Sequence, residues 1–431
     1  MIENLNQKKL KDSFLKIETL YKERKFDELL NHTKSHLLDF PNDLNAMNAK
    51  ALAYKGLNRF GDAKKSLLKI ISINSNLDFI HTNLGNILYD LGNVKEAIKS
   101  YDNALKINSK NYSALLGLGL TYSNEGKDNQ SIYFYKKILE DNPNDPDVNF
   151  NIATSYRKRE EYDLAAFHYS KSNRPLSKSF LLECTYLNKS SNMNDFNNII
   201  DELIISNKLN PLAACLSSHA SIAFSQKDKY PFCNEPFNFI DKNNLFLEKD
   251  FNNELISQIL LDINSSNITK KAQSLLKNGL QSSGNLFNLE YESIKKLKMI
   301  IEIKIQEYRE KFKDSNDGFI SKWPKDYNLW GWIITINKGG KLLPHMHKEG
   351  WLSSSIYLKR PKKISTNDGD IRFSFHGANY PKNNKEFENK VIPIVEGDMV
   401  MFPSSLFHST IPFESNEERV TLAFDVIPKN I

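Results

Sequence analysis

Small and large apolar positions recur along the first 175 residues with a period of 34. Ala51, Gly85, Gly119 and Ala153 open the register, and Tyr54, Leu88, Tyr122 and Tyr156 follow three residues after each. Ala63, Ala97, Ser131 and Ala165 come twelve residues after the first set, with Leu67, Tyr101, Tyr135 and Tyr169 four further on. Such a period predicts two antiparallel helices per unit, in which small residues let the helices approach and large ones fill the groove beside them. Pro41 and Pro143 stand at equivalent places, where the second helix should stop. Four units run from about 45 to 173, and an earlier, degenerate one at about 11–44 carries Ile17 and Leu29 where small residues are expected.

This pattern resembles the tetratricopeptide repeat (TPR). The resemblance implies an all-α solenoid over residues 1–175, about five units long, whose exposed groove takes a protein or peptide partner. Residues 176–230 keep helical patterning but lose the register, and read as a helical cap on the solenoid. Lys227–Phe237, with Pro231 and Pro236, reads as a linker, so that cap and linker together span 176–237.

Beyond 238 the period changes. Helical spacing is expected at 250–263 and 291–313, and short β-rich runs follow Trp323-Pro324, at 330–336, 353–358, 371–375, 391–395, 399–402 and 420–426. Many short strands with helices only in front predict a sandwich or jelly roll, and hence an α+β multidomain chain overall.

Composition narrows the function classes. A net charge of +6 over 431 residues, with both signs interspersed, calls for neither a nucleic-acid nor a membrane partner. Cys184, Cys215 and Cys233 are too scattered for a disulfide framework or a zinc motif, and with no apolar leader the expected home is the cytoplasm.

The candidate chemistry lies among the late strands. His345 and His347 are two apart, so on a strand both imidazoles would face one side and could share a metal. His408 follows after Phe402-Pro403, then Arg419, with Thr421 facing the same way. An Arg is suited to a carboxylate because its planar fork makes two charge-assisted hydrogen bonds. His376 is a candidate for substrate contact, while Asp368 and Asp370 around Gly369 read as turn residues. His32, His36, His81, His168 and His219 read as ordinary surface histidines.

The order His-x-His, distal His, Arg-x-Thr resembles the double-stranded β-helix Fe(II)/2-oxoglutarate oxygenases. Within them, the run Pro344–Leu358, containing His345-Met346-His347-Lys348-Glu349-Gly350-Trp351-Leu352-Ser353, is similar to a family related to prolyl 4-hydroxylases and aspartyl β-hydroxylases. Met401–Thr410, Glu418–Asp425, Gly279–Phe287 and Trp332 are similar to further blocks of that family, and Ser354 replaces its usual Gly. The resemblance implies an oxygenase domain over 238–431 with a jelly-roll barrel at about 325–428. It implies Fe(II) at His345, His347 and His408, and no catalytic side chain beyond the metal site. It also implies 2-oxoglutarate at Arg419, Thr421, Tyr357 and Ser353, with dioxygen consumed to hydroxylate a C–H bond. Two ligand sets stay open: His347 as a third ligand in place of the usual carboxylate, or as the neighbour of a two-histidine site. Two other functions stay open as well, a non-catalytic metal-binding barrel on a TPR scaffold and an oxygenase of a small metabolite.

Overall fold

Helix formation in the first part of the chain follows the 34-residue register closely. The computed structural model describes residues 2–188, 192–207, 209–266 and 268–429. Up to Ser170 they form α-helices in consecutive pairs: Ile2–Lys22 with Phe26–Asp39, Leu44–Gly56 with Phe60–Ile73, and Asp78–Asp90 with Val94–Ile107, then Tyr112–Asn124 with Asp128–Asp141 and Pro146–Lys158 with Tyr162–Ser170. This compact unit ends at Arg174. The small and large positions of the repeat touch directly. A Cβ added to Gly85 would lie 2.5 Å from the Tyr101 ring, and one added to Gly119 would lie 2.3 Å from Tyr135. Tyr101 is shared between pairs, since a Cβ on Gly117 of the next pair would also meet it, at 2.7 Å.

First helices begin with a cap in the same register. Asp43, Asn111 and Asp145 each accept backbone N–H bonds from the first turn, whereas Leu77, at the equivalent place, has no side chain able to do so. Not all histidines read as surface residues are exposed. His36 is buried against Asp43 (3.0 Å), and His81 is buried with its Nε2 at 2.9 Å from the Ser75 carbonyl. Their hydrogen bonds make the burial tolerable, and that partnering has no signature in the local sequence.

A second compact unit begins at Pro175 and includes the helices Ser177–Leu187, Met193–Ile205 and Pro211–Ala223. These helices, read as a solenoid cap, thus group with the strands that follow. The reason is visible in Pro211–Ala223, which is buried on nearly every side, as a helix apolar all round must be. The segment read as a linker is interior as well. Tyr230, Phe232 and Cys233 are buried, and the Pro231 and Phe232 carbonyls accept from Gly318 N and Phe319 N. Aromatic content outweighed the prolines. All three cysteines are buried.

The strands are β1 (Asp241–Asn244), β2 (Lys270–Lys271), β3 (Leu276–Ser282), β4 (Tyr327–Leu342), β5 (Leu352–Lys359), β6 (Ile371–Ser374), β7 (Asn389–Ile392), β8 (Asp398–Pro403), β9 (Phe407–Thr410) and β10 (Arg419–Pro428). They form a seven-stranded antiparallel sheet, β1-β8-β5-β10-β4-β3-β2, and a three-stranded one, β7-β6-β9. The α+β class therefore holds, with an antiparallel β domain consistent with a jelly roll. The expected helices are present at Asn253–Ser265 and Glu292–Lys311. Strands β1, β2, β3 and β9 were not anticipated; β1 and β2 are polar edge strands and β9 has only four residues. No helix among the described residues is long and apolar enough to cross a membrane.

The glycine–tyrosine contacts predict a contrast. Gly119→Leu should overpack the repeat and cost about 1–3 kcal/mol, lowering the thermal midpoint followed by helical circular dichroism. Gly61→Ala, in a helix with nothing within 4 Å of the new methyl, should be neutral or stabilising by up to about 1 kcal/mol.

Candidate active site

Strand β10 lies inside the larger sheet, bonded to β4 on one side and β5 on the other. Strand alternation puts Arg419, Thr421, Ala423 and Asp425 on one face, and all four line one cavity of about 250 Å³. Across the ladder, Ala423 is opposite both Ser355 and Trp332, and these two also line the cavity.

His345 and His347 reach this cavity from the segment between β4 and β5, which is not a regular strand. The segment is stitched to the β8–β9 turn and β9. His345 and His408 exchange backbone hydrogen bonds of 3.1 and 2.9 Å, and His347 N donates to the Ser404 carbonyl at 3.2 Å. The shared face expected of a strand thus arises from a single isolated bridge, His345–His408.

The three imidazoles meet, one ring nitrogen from each lying within 4.8 Å of the others. Nε2 of His345 and Nε2 of His347 are 3.2 Å apart. The Nδ1 atoms face outward to partners: His345 to the Leu343 carbonyl (2.9 Å), His408 to the Leu406 carbonyl (3.4 Å), and His347 to the Asp425 carboxylate (2.7 Å). That arrangement leaves Nε2 of each ring as the available ligand atom. Burial, reinforced by neighbouring imidazoles, pushes His345 down to about 4 and His408 well below the usual histidine range. Both rings are therefore neutral near pH 7, as metal ligation requires.

Asp425 is itself held. Ser353 Oγ donates to Asp425 Oδ1 at 2.6 Å and lies 2.7 Å from Ser404 Oγ. Gly350 closes over this group; a Cβ there would lie 2.8 Å from Ser404 Oγ and 2.9 Å from the Asp425 carboxyl carbon. Next to His347, Lys348 Nζ bonds both Glu183 carboxylate oxygens (2.6 and 2.7 Å), and Tyr380 donates to the same carboxylate at 2.8 Å.

At the far end, Arg419 is buried, its Nε donating to the Gly369 carbonyl at 3.2 Å. Thr421 Oγ1 and Trp332 Nε1 line the cavity as buried polar atoms without a protein partner among the described residues. Two expected co-substrate residues do not line it. Ser353 faces the right way, but its hydroxyl is consumed by Asp425 behind His347. Tyr357 is fully buried in the core under the Arg419 guanidinium, 4.9 Å from its ring centre, and burial raises its phenol to about 12. Asp368 caps backbone N–H groups of Ile364 and Ser365, and Asp370 pairs with Arg360 and Lys363, so both are structural. Asp425 was missed as a site residue although alternation from Arg419 and Thr421 points to it. Gln273, Ser274 and Gln281, on or beside β3, also line the cavity; nothing local in the sequence links them to the histidines.

The family described as "Putative 2OG-Fe(II) oxygenase" (2OG, 2-oxoglutarate) matches residues 331–425, and TPR families match 44–77, 85–126 and 113–145. The chain thus carries tetratricopeptide repeats within 44–145 and, at 331–425, a region similar to the putative 2OG-Fe(II) oxygenases. Its curated relatives match the repeats. TPR repeat-containing protein MJ1428 of Methanocaldococcus jannaschii is 39% identical over 84 residues, 19% of this chain and 15% of that protein. Photosystem I assembly protein Ycf3 of Synechococcus sp. (strain CC9605) is 31% identical over 97 residues, 21% of this chain and 56% of that one. The chain thus spans 15 to 56% of the length of these relatives. Among solved structures, PilW, a type IV pilus biogenesis factor, is 15% identical at a TM-score of 0.41, covering 47% of this chain and 96% of its own.

The site owes the orientation of His347 to Asp425. Asp425→Asn should therefore weaken Co(II) binding, read by its visible absorption, roughly 10–100-fold, while Asn243→Ala on the β1 edge leaves it unchanged.

Proposed function

We propose that the chain is an Fe(II)- and 2-oxoglutarate-dependent dioxygenase that hydroxylates a side chain of a protein or peptide recruited by its repeats. The observation that carries this reading is one cavity with an imidazole cluster at one end and a buried Arg419 with an unpartnered Thr421 hydroxyl at the other. The donor set fits the implied groups. Three imidazole nitrogens on one side would leave positions open for other ligands, as Fe(II) oxygenase sites need. We assign His347 as the third ligand in place of the two-histidine alternative, because its Nδ1 is already tied to a carboxylate, the usual support of a ligating imidazole.

Bound Fe(II), 2-oxoglutarate and dioxygen would supply the oxidation, one oxygen atom leaving in succinate beside carbon dioxide and the other entering the substrate C–H bond. Within this reading, Arg419 binds the distal carboxylate of the co-substrate through its fork and Thr421 adds a hydroxyl contact. Asp425 keeps Nδ1 of His347 protonated and Nε2 free. Leu342, Ile334, Ala423 and Trp332 give the same cavity its apolar lining. A metal-binding scaffold has no use for a buried guanidinium aimed into the metal cavity, which disfavours the non-catalytic alternative. The repeats favour a polypeptide over a small metabolite, and we keep the cytoplasm as the place of action.

Anaerobic addition of Fe(II) and 2-oxoglutarate should produce the weak visible charge-transfer band of the chelate, and oxygen should then release succinate. Protein that forms neither is not an oxygenase. Arg419→Ala should raise the KM for 2-oxoglutarate about 30-fold or more, corresponding to roughly 2 kcal/mol or more for truncating a buried charge pair.

A further inference from the structure

A second cavity, of about 220 Å³, adjoins the first and shares His408 and Ser409 with it. Its wall is the other face of the three-stranded sheet. Arg372 pairs with Ser409 in the ladder, and Ser374 pairs with Asn389 and Phe407, so these side chains stand opposite the face that carries Phe373 and His408.

Its polar lining is one-sided. Arg372, His376, Asn389 and Ser374 supply donors, the Ser409 hydroxyl donates to the Arg372 carbonyl, and no residue lining the cavity carries a carboxylate. Arg372 has no ion-pair partner among the described residues. His376 is held from behind by a buried relay. Tyr186 Oη lies 2.7 Å from Nδ1 of His219, and Nε2 of His219 lies 2.9 Å from Nδ1 of His376. Phe387 stacks on His219 with ring centres 4.5 Å apart. With Tyr186 donating, His219 and then His376 each take the tautomer that places a hydrogen on Nε2, so that His376 also presents a donor to the cavity. Burial supports neutral rings here, with His219 pushed down to about 3.

We propose that this cavity is a substrate subsite for an anionic oxygen group, a carboxylate or a phosphate, borne by the polypeptide that enters the oxygenase site, with Arg372 as its ion partner and His376, Asn389 and Ser374 as hydrogen-bond donors. The assignment rests on the oxygenase reading above. A chain crossing Ser409, on the rim common to both cavities, has one residue at the metal side and a near neighbour over Arg372. The specificity that follows is for a target side chain with an acidic or phosphorylated residue close by.

The test uses full-length protein with its histidines labelled at carbon, the His376 resonance being identified by its loss in His376→Gln. The probes are the amidated, acetylated tripeptides Gly-Asp-Gly, Gly-phosphoserine-Gly and Gly-Asn-Gly. The expected result is a saturable shift of His376 with either or both anionic peptides and none with the Asn peptide, affinity falling with salt. Arg372→Ala should weaken that binding about tenfold or more, with partial recovery in Arg372→Lys. Which anionic peptide binds identifies carboxylate or phosphate as the source. The same peptide should also perturb the visible band of the Fe(II)–2-oxoglutarate complex. An unmoved His376, equal response to the Asn peptide, or unchanged affinity in Arg372→Ala overturns the subsite; anion binding that leaves the band untouched overturns its role in substrate binding. If wild-type protein forms no band and releases no succinate, the oxygenase reading is what fails, and the histidine titration still reports separately on the anion site.

Discussion

A carboxylate buried behind an imidazole is the contact on which the site depends. Asp425 accepts from Nδ1 of His347, and its own position is fixed by Ser353, Ser404 and the absence of a side chain at Gly350. A buried carboxylate is costly unless its lone pairs are used. Here Oδ1 accepts from both His347 and Ser353, and the result is a ring with one defined tautomer facing two others. The glycine of the His-x-His-x-x-Gly run thereby acquires a physical reason: a methyl group there would displace the carboxylate.

The same unit is braced from outside the strands. Lys348, adjacent to His347, is anchored to Glu183 of the helix Ser177–Leu187, and Tyr380 joins that carboxylate from the loop after β6. A largely buried ion pair of this kind contributes more to fixing one conformation than to net stability. The helices before the strands therefore belong to the machinery that sets the loop carrying two of the histidines.

Legibility in the sequence followed the range of the interactions involved. The repeats were readable because their packing is local and periodic: Gly85 meets Tyr101 and Gly119 meets Tyr135, each sixteen residues on. The clustering of His345, His347 and His408 was readable from motif order, and Arg419 and Thr421 from strand alternation. The helices at 177–223 were misplaced because loss of the 34-residue register says where a repeat ends but not what the next helix packs on. The linker reading failed because prolines signal a break in regular structure, while Tyr230 and Phe232 decide burial. Ser353 was expected beside 2-oxoglutarate from the resemblance alone, and a motif does not show that its hydroxyl is already spent on Asp425. The hairpin residues Gln273 and Gln281 approach from some seventy residues upstream of the first histidine, beyond what a motif can encode.

One strand serves the cavity and the core at once. On β10, Arg419, Thr421, Ala423 and Asp425 face inward to the pocket, while Val420, Leu422, Phe424 and Val426 fill the opposite side and are buried. Slippage of this strand by a single residue would exchange the two sets, driving a guanidinium and a carboxylate into apolar packing and turning leucine and phenylalanine toward the histidines. Mispairing is thus penalised on both faces simultaneously, and a chain that has closed its sheet in the stable register has, by the same event, assembled the pocket.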